Sequence, residues 1–126
     1  MIESLGRAEI LRQKRDVNRV MRTGRKLAGP ALFLRFAPRD SSPSDNSALP
    51  VRRIAFLLSR RVGNSPERNR LKRRLREIYR RNKAWFPPGF DYLLNATPAA
   101  GKLTFAELAT ETEKLAQRLP GHEDAA

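Results

Sequence analysis

Ile10, Leu11, Val17, Val20 and Met21 recur near helical spacing, which predicts an amphipathic helix over residues 9–22 that Gly24 is placed to end. The pattern then changes to unbroken apolar runs. Ala31 to Ala37 carries one charge, Arg35, and reads as a strand; Val51 to Ser59, with Ile54, Phe56, Leu57 and Leu58, reads as a second. Between them, residues 38–50 hold three prolines, four serines and two aspartates, the composition of a mobile loop. Val62-Gly63-Asn64-Ser65-Pro66 is turn chemistry. A helix is predicted from Pro66 to Lys83, with Ser65 as N-cap, Pro66 at the first helical position and Glu67 at the positive end of the dipole. Pro87-Pro88-Gly89 breaks the chain, and Phe90 to Ala96 reads as a short buried strand. Thr104 opens a last helix, with Glu107 three residues on in capping-box spacing and a stripe of Leu108, Leu115 and Leu119. Residues 120–126 read as a frayed tail.

The order helix, strands, helix, strand, helix predicts an α/β (α+β) sandwich in two layers, with helices covering a small mixed sheet. With 126 residues, one domain is expected, its core spanning about residues 9–119.

Charge changes the picture, because it is strong and uneven. Lys and Arg number 26 against 13 Asp and Glu, a net charge of +13, which predicts a polyanionic partner. Residues 60–83 hold eleven basic and two acidic side chains, whereas residues 84–126 hold three basic and six acidic. A charge serving solubility would be diffuse; this one marks a surface. At about 100° per residue, Leu71, Leu75 and Ile78 form a narrow apolar stripe on the predicted 66–83 helix. Asn69, Lys72, Arg73, Arg76 and Arg80 fall on the opposite side, Arg68 sits at the border, and Arg70 and Arg74 lie on the other flank. Like charges one turn apart, such as Arg68/Lys72 and Lys72/Arg76, repel by a few tenths of a kcal/mol per pair. A merely solvated face would mix signs. Arginine outnumbers lysine nine to two in residues 60–83, and its planar guanidinium suits bidentate phosphate contacts and stacking on bases. The composition thus favours nucleic acid over an anionic membrane surface, which would also call for a broad exposed apolar face.

Several chemistries are excluded or given no support. The chain has no cysteine, which removes disulfides, zinc ribbons and thiol catalysis and fits a cytoplasmic location. No run of about 18 apolar residues could span a membrane, and Met1 to Arg15 lacks the apolar stretch of a secretory signal. His122 stands alone in the tail, no acidic or histidine cluster has metal-ligand spacing, and Glu107 and Glu111 read as a solvated face. No catalytic side chain is predicted.

The stretch from Ser59-Arg60-Arg61 through Gly63-Asn64 to Arg68-Asn69-Arg70-Leu71-Lys72-Arg73-Arg74-Leu75-Arg76-Glu77 closely resembles the central motif of the bacterial ribonuclease P protein family. Leu11…Asp16-Val17…Val20…Gly24 resembles the first helix of that family, and Asp91-Tyr92-Leu93-Leu94 and Leu103-Thr104-Phe105-Ala106-Glu107-Leu108 its last strand and helix. The resemblance covers roughly residues 10–119 in order; its central motif is long and specific, its flanks weaker.

The resemblance implies a left-handed βαβ crossover, rare among folds, as in that family and the related small-subunit ribosomal-protein domain 2-like fold. It implies an endoribonuclease that acts as a ribonucleoprotein and removes the 5′ leader of precursor tRNA. In it the RNA performs hydrolysis with Mg2+ bound mainly through the RNA, one protein assists each RNA, and no membrane is involved. By that resemblance Arg60, Arg61, Arg68, Asn69, Arg70, Lys72, Arg73 and Arg76 bind the ribozyme RNA. Val17, Met21, Phe33 and Arg35 line the cleft for the single-stranded leader. Val17 and Met21 stand where the family often has aromatics, Arg35 where a strand aromatic is common, and Thr97 where an Arg is usual; Phe33 lies on the same strand face as Arg35. A ribosomal or general RNA-binding protein would share the charge without needing the motif, and a membrane-surface protein would bind anionic lipid.

Overall fold

Strands whose two faces both meet other elements lose the simple alternation of apolar and polar residues, and the sheet at the centre of this chain is built that way. The computed structural model describes residues 10–11, 13–39 and 52–120. Four strands, β1 (Arg25–Ala28), β2 (Leu32–Pro38), β3 (Arg53–Leu58) and β4 (Phe90–Ala96), lie in the order β1-β2-β4-β3. β1–β2 and β2–β4 are antiparallel, and β3–β4 is parallel. Three helices accompany them: α1 (Lys14–Thr23), α2 (Ser65–Arg81) and α3 (Phe105–Ala116). The predicted α/β architecture is thus present, with α2 as the crossover of the parallel β3-α2-β4 unit.

One sheet face carries the main core. Leu32, Leu34 and Phe36 of β2, Ile54 and Phe56 of β3, and Tyr92, Leu94 and Ala96 of β4 pack against Leu71, Leu75, Ile78 and Tyr79 of α2 and Leu108, Leu115 and Ala116 of α3. Tyr79 widens the α2 stripe beyond the three predicted positions. It belongs to a series of edge-on rings, Phe56–Tyr79–Phe86–Tyr92, whose centroids stand 5.2–6.3 Å apart. Such pairs are worth about 0.5–1.5 kcal/mol each beyond area burial. Tyr92 also donates its hydroxyl to the Pro87 carbonyl.

The opposite face is covered in part, by α1. Leu11, Val20, Ala37, Ala55 and Leu93 form a second cluster, joined by the half-buried Val17 and Leu57. The register sets out three rows across this face: Ala37–Asp91–Arg53, Arg35–Leu93–Ala55, and Phe33–Asn95–Leu57. The buried sheet residues of the α1 cluster, Ala37, Ala55 and Leu93, come from the first two rows, and the half-buried Leu57 from the third.

The first row anchors the helix. Asp91 is fully buried and accepts from Arg53 Nε at 2.9 Å and Nη2 at 2.8 Å, a bidentate pair, and from Arg19 of α1. Arg19 also donates to the Pro38 carbonyl at 2.8 Å, and Arg53 reaches Asp16 at 3.4 Å. Gly24 ends α1 with ordinary negative φ; what excludes a side chain there is space, because a Cβ would stand 2.3 Å from the Val20 oxygen and 2.9 Å from that of Phe36.

Several expectations need correction. α1 begins at Lys14, not residue 9: Ile10 bridges Ile54 in extended conformation, and the Leu11 N–H donates to the Ile54 carbonyl at 2.9 Å. The N-cap of α2 is Asn64, one residue before Ser65. Its Oδ1 accepts from the Glu67 N–H at 2.9 Å, and Glu67 accepts from the Asn64 N–H at 2.8 Å, a reciprocal box that satisfies two donors of the turn. Gly63, at φ 154°, precedes it in a backbone region suited to glycine, and a Cβ there would meet the Glu67 carboxylate at 2.6 Å. β1 has no counterpart among the predicted elements. Glu107 is exposed and completes the predicted Thr104 capping box, but Glu111 is not part of a solvated face: half-buried, it accepts from the Ala31 and Leu32 N–H groups at 2.7 and 2.5 Å, clamping α3 to the start of β2. Most of the loop predicted at 38–50, and the tail with His122, lie outside the described residues.

Candidate nucleic-acid interface

The capping box and the Gly63 turn fix where α2 begins, and its buried stripe fixes which side faces out. Asn69, Arg70, Lys72, Arg73 and Arg76 are exposed, and none has a hydrogen bond or ion pair among the described residues. Arg60 and Arg61, in the turn before α2, are likewise exposed without such a partner. Arg68 differs. It is half-buried and donates to the Gly63 carbonyl at 2.6 Å and to Ser65 Oγ at 3.2 Å, so it holds the turn together. The end of the helix is compensated. Arg80 and Arg81 both donate to Glu77, at 2.9 Å each from Nε, and these bonds, with the charge of Arg80 behind them, hold the Glu77 carboxyl at about 2, far below its ordinary value. Unpaired positive charge therefore concentrates on the first three turns of α2 and the turn before it.

The predicted cleft residues fall on α1 and the open part of the sheet. Val17 both packs into the second cluster and lines a cavity of about 380 Å3 with Leu11, Ala55, Leu57, Lys72 and Arg76. Lys72 and Arg76, read from the sequence as ribozyme contacts, thus stand at the same cavity as Val17, read as a leader contact. Met21 is 45% exposed on α1. Phe33 is half-buried in the third row, with the Lys26 ammonium 4.5 Å and the Arg35 guanidinium 5.6 Å from its ring centroid. A second cavity of about 430 Å3 runs from Phe33 past Leu57 and Asn95 to Ser59, Arg61 and Pro98. The two cavities share Leu57, so an apolar floor rimmed by Lys72, Arg76 and Arg61 follows the open edge of the sheet. Thr97 donates its hydroxyl to the Ala31 carbonyl at 2.9 Å.

A family model described as ribonuclease P matches residues 5–120. This chain belongs to the ribonuclease P protein family. The ribonuclease P protein component of Streptomyces avermitilis is 34% identical over 112 residues, covering 88% of this chain and 91% of that protein. The corresponding protein of Petrotoga mobilis is 28% identical over 121 residues, covering 93% and 96%. Among solved structures, the ribonuclease P protein from Thermotoga maritima superposes with a TM-score of 0.75 at 26% identity, covering 90% of this chain and 99% of that one. The Staphylococcus aureus protein gives 0.71 at 20% identity, over 85% and 91%, a likeness of fold.

The ribonuclease P match spans every described helix and strand. Lys26 and Asn95 also stand on this face of the ribonuclease P fold and were not read from the sequence. Lys26 lies on β1, which the apolar pattern does not reveal, and Asn95 sits with Asp91 as one of two polar residues in a strand read as buried; only its polarity could have drawn notice.

Proposed function

We propose that this chain serves as the protein subunit of the ribonuclease P ribonucleoprotein, binding the catalytic RNA and the 5′ leader of precursor tRNA and assisting endonucleolytic removal of that leader. The observation that carries RNA binding is the set of cations on the outward face of α2 and the turn before it, which have no hydrogen-bond or ion-pair partner among the described residues. A fold that places so many like charges together without neutralising them is stabilised by a polyanion. Arg60, Arg61, Asn69, Arg70, Lys72, Arg73 and Arg76 are assigned to ribozyme RNA, with Arg68 positioning the turn from which they project. The open sheet face, with Phe33 and Arg35 on its floor and Val17 and Met21 on the α1 wall, is assigned to the leader. Arginine and lysine beside the Phe33 ring suit a single strand, whose phosphates seek cations and whose bases seek an aromatic surface.

Hydrolysis is assigned to the RNA. Among the described residues no group of three or more His, Asp or Glu could hold a metal ion, and the buried carboxylate Asp91 is already held by arginines. This reading places Mg2+ with the RNA, since the described residues offer no cage for it. Precursor tRNA and one RNA per protein complete the assembly. No helix among the described residues is long and apolar enough to cross a membrane; the cytoplasm is the proposed location.

The test is cleavage of 5′-labelled precursor tRNA by a bacterial ribonuclease P RNA at low magnesium, where the RNA alone is slow. Wild-type protein should stimulate cleavage at the mature 5′ end, and the triple variant Lys72→Ala, Arg73→Ala, Arg76→Ala should not, while its circular dichroism and thermal midpoint stay near wild type. Removing one cation that pairs with a single-strand phosphate should flatten the log–log salt slope of binding by about 0.7. Folded wild-type protein that fails to stimulate any such RNA would overturn the assignment.

A further inference from the structure

The cations of α2 stand on two flanks that open onto different places. Lys72 and Arg76 lie about 100° and 140° to one side of Leu71 and turn to the cavity of Val17 and Leu57. Arg70 and Arg74 lie about 100° and 60° to the other side and turn to a separate pocket, between α2 and the short 3-10 turn Pro98–Lys102. Glu67, Arg70 and Arg74 form its α2 wall, with Ala100 and Gly101 facing them. Arg74 is half-buried and Arg70 exposed, and neither has a hydrogen bond or ion pair among the described residues. They are one turn apart and repel. Glu67, the carboxylate in this wall, is engaged by the Asn64 N–H at 2.8 Å. The facing wall leaves room. Gly101 is exposed, its backbone lies outside the positive-φ region, and a Cβ there would meet nothing nearer than the Val62 oxygen at 3.7 Å. Glycine is therefore not required by the turn, and its small size keeps the pocket open.

The pocket's volume narrows the ligand. About 70 Å3 holds several waters but falls far short of the roughly 300 Å3 at which small-molecule sites begin. It admits a small oxyanion and excludes a base. Two unpaired guanidiniums supply the planar sets of donors that phosphate oxygens accept. Building on the reading of this chain as a ribonuclease P subunit, we propose that the pocket seats one backbone phosphate of the catalytic RNA between Arg70 and Arg74. The helix is then gripped by RNA from two sides. Arg74 lies outside the residues that the family resemblance assigns, and it becomes a phosphate ligand. The sheet face assigned to the leader lies beyond Lys72 and Arg76, across the width of α2, so the phosphate on this flank comes from the other RNA.

The experiment measures binding of the full chain to a bacterial ribonuclease P RNA without substrate, by filter retention across a salt series. Arg74→Ala should bind about tenfold more weakly, the low end for hydrogen bonds to a charged group. Its log–log salt slope should flatten by about 0.7–0.9. Its thermal midpoint should not fall, because the change removes a like-charge neighbour of Arg70. Gly101→Leu removes no charge but fills the pocket, and should weaken binding by a comparable factor while the protein stays folded. Lys114→Ala, at an exposed cation of α3 outside the pocket, should bind like wild type. Ethylating one particular phosphate of the RNA should cost wild-type protein the same factor of about ten. With Arg74→Ala that ethylation should cost less than about twofold more, since the two changes remove one contact. Folded Gly101→Leu protein that binds like wild type, or Arg74→Ala that loses no more than Lys114→Ala, overturns the pocket. A loss that appears only when the holoenzyme binds precursor tRNA moves the phosphate to the substrate and overturns the catalytic RNA as its source. Folded wild-type protein that binds no such RNA overturns the subunit reading itself.

Discussion

Asp91→Asn should detach α1 from the sheet at a cost that can be worked from the geometry. The side chain is 0% exposed and accepts from two arginines, bidentately from Arg53 and singly from Arg19, which arrive from β3 and α1. Asparagine keeps the shape, removes the charge and turns an NH2 group toward one guanidinium. Breaking a fully buried ion pair on one side costs about 3–5 kcal/mol. Arg19 and Arg53 keep 21% and 19% of their side chains exposed, so both can recover some hydration. The lower end, about 3 kcal/mol, is therefore expected. For a chain of this size that lowers the thermal midpoint by roughly 10–15 °C. Urea unfolding followed by circular dichroism should show a lower midpoint with an unchanged slope. The triple change Asp91→Leu, Arg19→Met, Arg53→Met should recover only part of the loss, because it still leaves Asp16 without Arg53 and Arg39, 3.9 Å from the Asp91 carboxylate in the wild type, without its partner. Because α1 carries Val17 and Met21, leader affinity should fall before affinity for the catalytic RNA does. A loss below about 1 kcal/mol, the worth of a solvated pair, would refute the view that this cluster anchors the helix.

Gly24→Ala should destabilise by about 1–3 kcal/mol, since its Cβ must displace the Val20 and Phe36 carbonyls. Gly101→Ala, where the nearest atom would be the Val62 oxygen at 3.7 Å, should stay within about 0.5 kcal/mol in the same thermal assay. Glu111→Ala should cost about 1–3 kcal/mol and speed amide exchange at Ala31 and Leu32, whose N–H groups lose their acceptor. The carboxyl of Glu77 is depressed from 4.5 to about 2, so its support of α2 is present above pH 4.5 and lost as pH falls through about 2. The stability gap between wild type and Glu77→Gln should accordingly close on acidification over that window; a gap that widened would contradict the pairing with Arg80 and Arg81.

The sequence by itself determined the helices and the strands that carry core, because periodicity and capping are local. α3 begins at the predicted Thr104 cap, β4 occupies the predicted Phe90–Ala96, and the outward cations of α2 follow from helical geometry once Leu71, Leu75 and Ile78 are inward. Where two local solutions compete, the sequence was a weaker guide. Ser65 and Asn64 can both cap α2, and the reciprocal bond with Glu67 selects Asn64. Ile10 and Leu11 fit helical spacing, yet pairing with the edge of β3 satisfies their backbone and removes them from α1. β1 has almost no apolar signal, because Arg25 and Lys26 stand on an exposed edge strand, where charge is tolerated and protects against further pairing. Only the tertiary structure decided which residues meet across elements. It placed Asp91 between Arg19 and Arg53, drew Lys72 and Arg76 to the cavity of Val17, and set Asn95 beside Phe33. Those meetings depend on strand register and on which sheet face a helix covers, which are settled by packing over long sequence separations and leave no periodic trace in the chain.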